Sequence, residues 1–97
     1  MTDPKIIVPI IKENMIAPAK EEGADILYVD YKQFVKNNRF SKAQLIRYIK
    51  IAHSLMTPIY LSFGPNIYER DLPLITSIVE DLSQLNIDGI MIILLLR

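Results

Sequence analysis

The sequence has no cysteine, one histidine and three glycines in 97 residues. Without a thiol, these residues contain no disulfide framework, no thiolate zinc site and no iron–sulfur ligand set. The glycines, at positions 23, 64 and 89, are too dispersed to form a phosphate-cradling loop, so nucleotide binding has no motif behind it. The longest uninterrupted apolar run, Gly89 to Leu96, is far short of the ~20 residues that a membrane-crossing helix needs. The opening Met-Thr-Asp-Pro-Lys is polar and precedes no signal-peptide pattern. No low-complexity tract interrupts the chain. The expectation is a cytoplasmic protein with no cofactor, no bound metal and no membrane partner.

What is present is apolar. Hydrophobic residues make up 51% and charged residues 23% of the chain, too apolar a mixture for a disordered tail. A chain this long buries roughly two-thirds of the surface that it exposes when unfolded, enough for one modest core. A single domain over residues 1–97 follows.

Four short runs rich in β-branched residues read as strands: Ile6–Ile10, Ile26–Val29, Ile59–Phe63 and Ile90–Leu94. They are continuous rather than alternating, the pattern of strands covered on both faces. A first, weaker helix fits about Glu13 to Glu22, with Pro18 inside it and Gly23 ending it. A second opens at Ser41 with Gln44 at capping-box spacing, and Leu45, Tyr48, Ile49, Ala52 and Met56 form its apolar face. A third is capped by Asp71, carries Pro73 in its first turn, and buries Leu72, Ile75, Val79, Leu82 and Leu85. The order β-α-β-α-β-α-β gives an α/β fold with a parallel four-stranded sheet. An open doubly wound sheet and half of a (β/α)8 barrel both fit it.

Several stretches carry a likeness to a known family. Ile6 to Phe34, IIVPIIKENMIAPAKEEGADILYVDYKQF, resembles the opening of the collagenase-like peptidase family, which runs L-L-A-P-A-G, then a helix, then G-A-D-x-x-Y-L-G-G-x-x-F. Gly23-Ala24-Asp25, Tyr28 and Phe34 fall in register without a gap. The likeness continues through Phe40-Ser41, Ala52-His53, Ile59-Tyr60-Leu61 and Ile87-Asp88-Gly89-Ile90, and covers roughly residues 5 to 92. Three positions depart from the pattern. Ile10-Ile11 stands for Ala-Gly, Asp30-Tyr31 for Gly-Gly, and Gly64 for the asparagine usual at the end of the third strand. The resemblance implies the N-terminal half of a (β/α)8, TIM-like barrel. Family members continue further and carry their cysteine and glutamate signatures in the later part. The resemblance therefore implies a fragment or a degenerate stand-alone relative, without the part to which peptidase (hydrolase) activity would be assigned.

Candidate residues follow from the faces of such a fold. Active sites of barrels and open sheets lie at the C-terminal ends of the strands. His53 ends the helix before the third strand, and Asp25 and Asp88 precede strands, so all three fall at the opposite end as cap or turn residues. No catalytic residue is assigned. At the C-terminal ends, Asp30 is the best-placed carboxylate, and Asn66 is a second polar candidate for binding a ligand.

Charge is unevenly spread although basic and acidic residues balance at 11 each. Residues 1–30 carry three lysines against six acids, and residues 69–97 carry two arginines against five acids. Between them stand Lys32, Lys36, Arg39, Lys42, Arg47 and Lys50 with no acid, interleaved with Tyr31, Phe34, Phe40 and Tyr48. Clustered cations with nearby aromatics suit phosphates and unstacked bases, which makes RNA a candidate partner. The resemblance adds that some relatives act in RNA modification by hydroxylation. The plain alternative is a solvated helix face with the aromatics in the core. Open sheet edges and an apolar last strand also predict a homo-oligomer, or pairing with a longer family subunit.

Overall fold

The structure is a computed structural model that describes residues 4–64 and 69–92. In chain order it contains β1 (Ile7–Pro9), α1 (Ile16–Glu21), β2 (Ile26–Asp30), β3 (Val35–Lys36), β4 (Arg39–Phe40), α2 (Lys42–Ser54), β5 (Ile59–Ser62), α3 (Leu72–Leu82) and β6 (Gly89–Met91). Short 3-10 turns at Glu13–Met15, Tyr31–Phe34 and Glu69–Asp71 complete it. Ile93 and Leu94 of the expected fourth strand lie outside the described residues, as does Asn66.

Strands β1, β2, β5 and β6 form one parallel sheet in that order, each joining beside its predecessor. This order separates the two sheets that the spacing left open. A doubly wound sheet reverses its strand order at a switch point and carries helices on both faces. Here the winding never reverses, so right-handed crossovers put all three helices on one face, the arrangement of half a (β/α)8 barrel.

Burial follows the winding. Leu27 and Val29 on β2, and Ile59 and Leu61 on β5, are fully buried beneath the helices. Tyr28 and Tyr60, on the opposite face, are half-buried. The strands are thus covered on one face, not on both as their continuous apolar runs suggest. The second face, with Ile7, Tyr28 and Tyr60, is the side that forms the inner wall in a complete (β/α)8 barrel. The helical layer supplies Ile16, Leu45, Ile49, Ala52, Ile75, Ile78 and Leu82 to the core. Each of these isoleucine and leucine side chains contributes about 1.5–3 kcal/mol on full burial, and Ala52 less.

Helix details differ from the expectation in five places. The first helix is a 3-10 turn followed by six α-helical residues, with Pro18 tolerated in its first turn. Ser41 has an extended backbone at the start of α2, but its side chain makes no cap hydrogen bond among the described residues. Asp71 makes none to α3 either, because the preceding 3-10 turn already holds its backbone helical at φ −87° and ψ −15°. Met56 lies beyond the end of α2 in the left-handed region (φ 55°) and is 88% exposed, not part of the buried stripe. On α3 the buried face is Ile75, Ile78 and Leu82, turned by about one residue, which leaves Leu72 and Val79 exposed.

One hydrogen-bonding device occurs twice at the N-terminal ends of the strands. The N–H of Ile6 donates to Asp25 Oδ2 at 2.7 Å, and the N–H of Asp25 donates back to the Ile6 carbonyl at 2.8 Å. The N–H of Ile59 donates to Asp88 Oδ2 at 2.8 Å, and the N–H of Asp88 returns to the Ile59 carbonyl at 3.1 Å. Each aspartate precedes a strand and clamps the start of the strand before it. Between β2 and β5 the equivalent level is taken by Pro58, whose carbonyl accepts from the Leu27 N–H at 3.0 Å. Asp88 has a further partner: His53 Nε2, in the last turn of α2, lies 2.7 Å from its Oδ2.

The two clamps differ in burial, which orders their energies. The Asp88 bond is part-buried and the Asp25 bond is exposed. Asp88→Ala leaves the Ile59 N–H without its acceptor and should cost about 1–3 kcal/mol in urea unfolding, more than Asp25→Ala. His53→Gln should cost less than about 1 kcal/mol, since a pair this exposed is weak. An equal loss from both aspartates would remove the distinction.

Candidate functional site

The C-terminal ends of the strands are organised around Asp30. This residue closes β2, and its Oδ1 accepts from the Lys32 N–H at 2.8 Å, starting the turn Tyr31–Phe34. On the neighbouring strand, Ser62 is level with Asp30 and buried, and its Oγ accepts from the Gly64 N–H at 3.1 Å. Gly64 has φ +80°, a conformation that glycine adopts without strain. A Cβ there would lie 3.7 Å from Asp30 Oδ2. The carboxylate and the glycine are therefore neighbours across the strand ends, where the family pattern has Gly-Gly and asparagine. Below them the Tyr31 and Phe63 rings meet at 5.2 Å, and Gln33 Nε2 donates to the Ile10 carbonyl at 2.9 Å, tying the ends of β1 and β2 together.

The chain leaves this rim through a feature that the sequence reading passed over. β3 and β4 form a two-stranded antiparallel hairpin with Val35 opposite Phe40 and Lys36 opposite Arg39. Its turn residues Asn37 and Asn38 have φ 54° and 60°, the pair of positive values that a type I′ turn requires and that asparagine tolerates. Phe40 anchors the hairpin on Phe34 (ring centroids 6.2 Å apart), and Phe34 packs edge-on against Tyr48 of α2 at 5.2 Å. Lys36 and Arg39 are both exposed.

The aromatics among the cations are thus mainly structural. Tyr31 and Phe34 are buried, and Phe40 and Tyr48 are half-buried against the core. They are spent on packing and do not offer a platform for unstacked bases.

The six cations divide. Arg47 pairs with Glu13 at 2.8 Å and Lys42 with Asp81 at 3.1 Å. The acidic flanks therefore fold back on the basic middle within one chain. Lys32, Lys36, Arg39 and Lys50 form no ion pair among the described residues. Lys50 lies along α2 and lines a groove with His53. Lys32, Lys36 and Arg39 stand together in the segment that leaves the Asp30 rim.

His53, Asp25 and Asp88 lie at the other end of the sheet, on the side from which the strands start. The partnership of His53 with Asp88 spans 35 residues and has no local signal. No group of three or more His, Asp or Glu side chains is placed to hold a metal among the described residues. An iron–sulfur cluster, which the resemblance assigns to later cysteines, has no thiolate to bind in these 97 residues, so they do not fit that group. No helix of the described residues is long and apolar enough to cross a membrane.

The sequence profile of peptidase family U32 matches residues 13–93. No curated protein and no solved structure matches the chain. The matched range runs from the turn before α1 through β6, leaves β1 outside it, and includes Gly23-Ala24-Asp25 and Asp88-Gly89 at the strand starts. The chain belongs to peptidase family U32.

Proposed function

We propose that this chain is a binding half-barrel of family U32 without catalysis of its own, and that its C-terminal rim contacts RNA through Lys32, Lys36 and Arg39. The observation that carries the reading is the hairpin. Lys36 and Arg39 stand directly opposite each other, and like charges so placed repel. An anion between them converts that repulsion into attraction. Arg39 offers a planar fork that matches a phosphate, and Lys36 a compact point charge. Asp30 lies on the same rim, where it accepts the Lys32 N–H and forms no ion pair with these cations among the described residues. With the aromatics packed away, binding rests on phosphate contacts and has little base specificity.

The reading without catalysis is supported by the placement of the titratable groups. His53, Asp25 and Asp88 are occupied with strand starts, and the rim offers Asp30 as its carboxylate among the described residues.

Both parts are testable. Binding to single-stranded RNA should weaken as salt rises, and Lys32→Ser, Lys36→Ser and Arg39→Ser together should flatten that slope by about 2, at ~0.7 per lost phosphate contact. Lys42→Ser, whose lysine is tied to Asp81, should change it little, as should the control set Lys5→Ser, Lys12→Ser and Lys20→Ser. Equal effects from the two triple variants, or no binding at low salt, would remove the RNA reading. The purified chain should not cleave gelatin above a heat-killed control. Cleavage abolished by a substitution within this chain would remove the other part.

A further inference from the structure

The sheet's two edges are complementary in a way that the RNA reading does not use. In a parallel ladder, alternate residues turn their backbone groups to one neighbour and the rest turn away. The Ile26 N–H donates to the Ile6 carbonyl and the Ile10 N–H to the Tyr28 carbonyl. On β1, the groups of Ile7 and Pro9 therefore point outwards. The Phe63 N–H donates to the Met91 carbonyl at 3.0 Å, so on β6 the groups of Ile90 point outwards.

One level of the sheet runs Pro9, Tyr28, Tyr60, Gly89 across all four strands. A closed eight-stranded βα barrel accumulates a shear of about 8 residues around its circumference, so two identical halves contribute about 4 each. Continuing the level with that stagger sets Gly89 beside Lys5 of a second copy, and Ile90 beside Ile6. The opposite stagger would set Ile90 beside Asn14, which lies in a 3-10 turn and cannot pair. With Ile90 level with Ile6, the outward N–H of Ile7 meets the Ile90 carbonyl and the Ile90 N–H meets the Lys5 carbonyl. Pro9, which has no N–H, is not called on to donate to Ile90. A shift of two residues, to Val8, would put that missing donor opposite Ile90 within β6, whereas here it falls opposite Ile92, beyond the strand's end.

We propose that two copies of this chain close an eight-stranded parallel barrel, with β6 of each against β1 of the other and Ile90 level with Ile6 of the second copy. A two-fold axis along the barrel makes both seams at once, so association stops at two. The side chains agree with the backbone. Ile6 and Ile90 both lie on the helix side of their strands, 52% and 38% exposed, and Ile92 beyond them is 48% exposed. On the inner side, Ile7 is 48% exposed and the Tyr28 and Tyr60 rings are half-covered. Covering these groups removes on the order of several hundred Å² per chain from water, comparable with one side of a stable interface at ~800 Å². The helix layer is left with one helix fewer than the strands on each side of a seam. There the apolar groove beside β1, lined by Ile6, Val8, Met15 and Pro18, meets the groove beside β6, lined by Val79 and Ile90.

The 97-residue chain should sediment at micromolar concentration at twice its 11.2 kDa mass. Ile7→Pro removes an outward donor and no bond of the chain's own sheet, so it should weaken dimerisation at least about tenfold, one hydrogen-bonded edge at each seam being lost. Its circular dichroism should be unchanged. If that variant fails to fold, cysteine pairs decide. Ile6→Cys with Ile90→Cys should give a covalent dimer on mild oxidation, because neighbouring strands lie ~4.8 Å apart, within disulfide reach. Val8→Cys with Ile90→Cys, two residues out of register, should not. A cooperative 11.2 kDa monomer, a folded Ile7→Pro variant that remains dimeric, or equal cross-linking by both pairs would overturn the proposal.

Discussion

Every main strand joins the sheet on the same side as the one before it, and nearly everything else follows from that winding. Three right-handed crossovers in one sense place α1, α2 and α3 on one face and leave the other to Tyr28, Tyr60 and their neighbours. The helix-facing side chains can then pack at full density, as the complete burial of Leu27, Val29, Ile59 and Leu61 shows. The winding also fixes two distinct ends. One gathers the carboxylates that clamp strand starts, and the other gathers the loops that lead from strand to helix. Gly89 shows how closely the inner face is fitted: a Cβ there would lie 2.9 Å from the Tyr60 ring. Only a residue without one lets that ring lean across β6.

The strands and two of the three helices were legible because they are carried by periodicity, composition and punctuation over five or more residues. The winding was not, since spacing is blind to the side on which a strand joins. It was the family likeness that pointed to the barrel. The β3–β4 hairpin escaped because two-residue strands have no period, and its Asn37-Asn38 turn lacks the glycine that usually announces a type I′ turn. The caps expected at Ser41 and Asp71 failed for a local reason. Capping depends on backbone dihedrals and side-chain rotamers that residue type alone does not fix. At the rim, Asp30 was legible from its place at the end of a strand, and the cations only as a run along the chain. Their sorting into paired and unpaired depended on contacts such as Arg47 with Glu13, 34 residues apart.

The electrostatics of the chain are therefore local, although its composition is balanced. The acidic segments on either side of the basic middle each give it one partner, through Glu13 and Asp81. These pairs connect α2 to the elements on both sides of it and, exposed as they are, add little stability. What is left over is a small positive patch on a hairpin anchored through Phe34 and Phe40. An anchored backbone lowers the ordering cost of binding a ligand there, and the exposed side chains bear the rest.

Pro9 has a consequence beyond the fold it helps to build. A sheet edge is open to any extended chain that passes, and uncontrolled growth by strand addition is the route to fibrils. With no donor at Pro9, the outer edge of β1 makes an incomplete ladder with an arbitrary strand, and the stacking of many identical copies repeats the same defect at every layer. A bounded assembly, in which each edge is used once, avoids that accumulation. One imino acid at a sheet margin thus weakens indiscriminate strand addition at little expense to the folded chain.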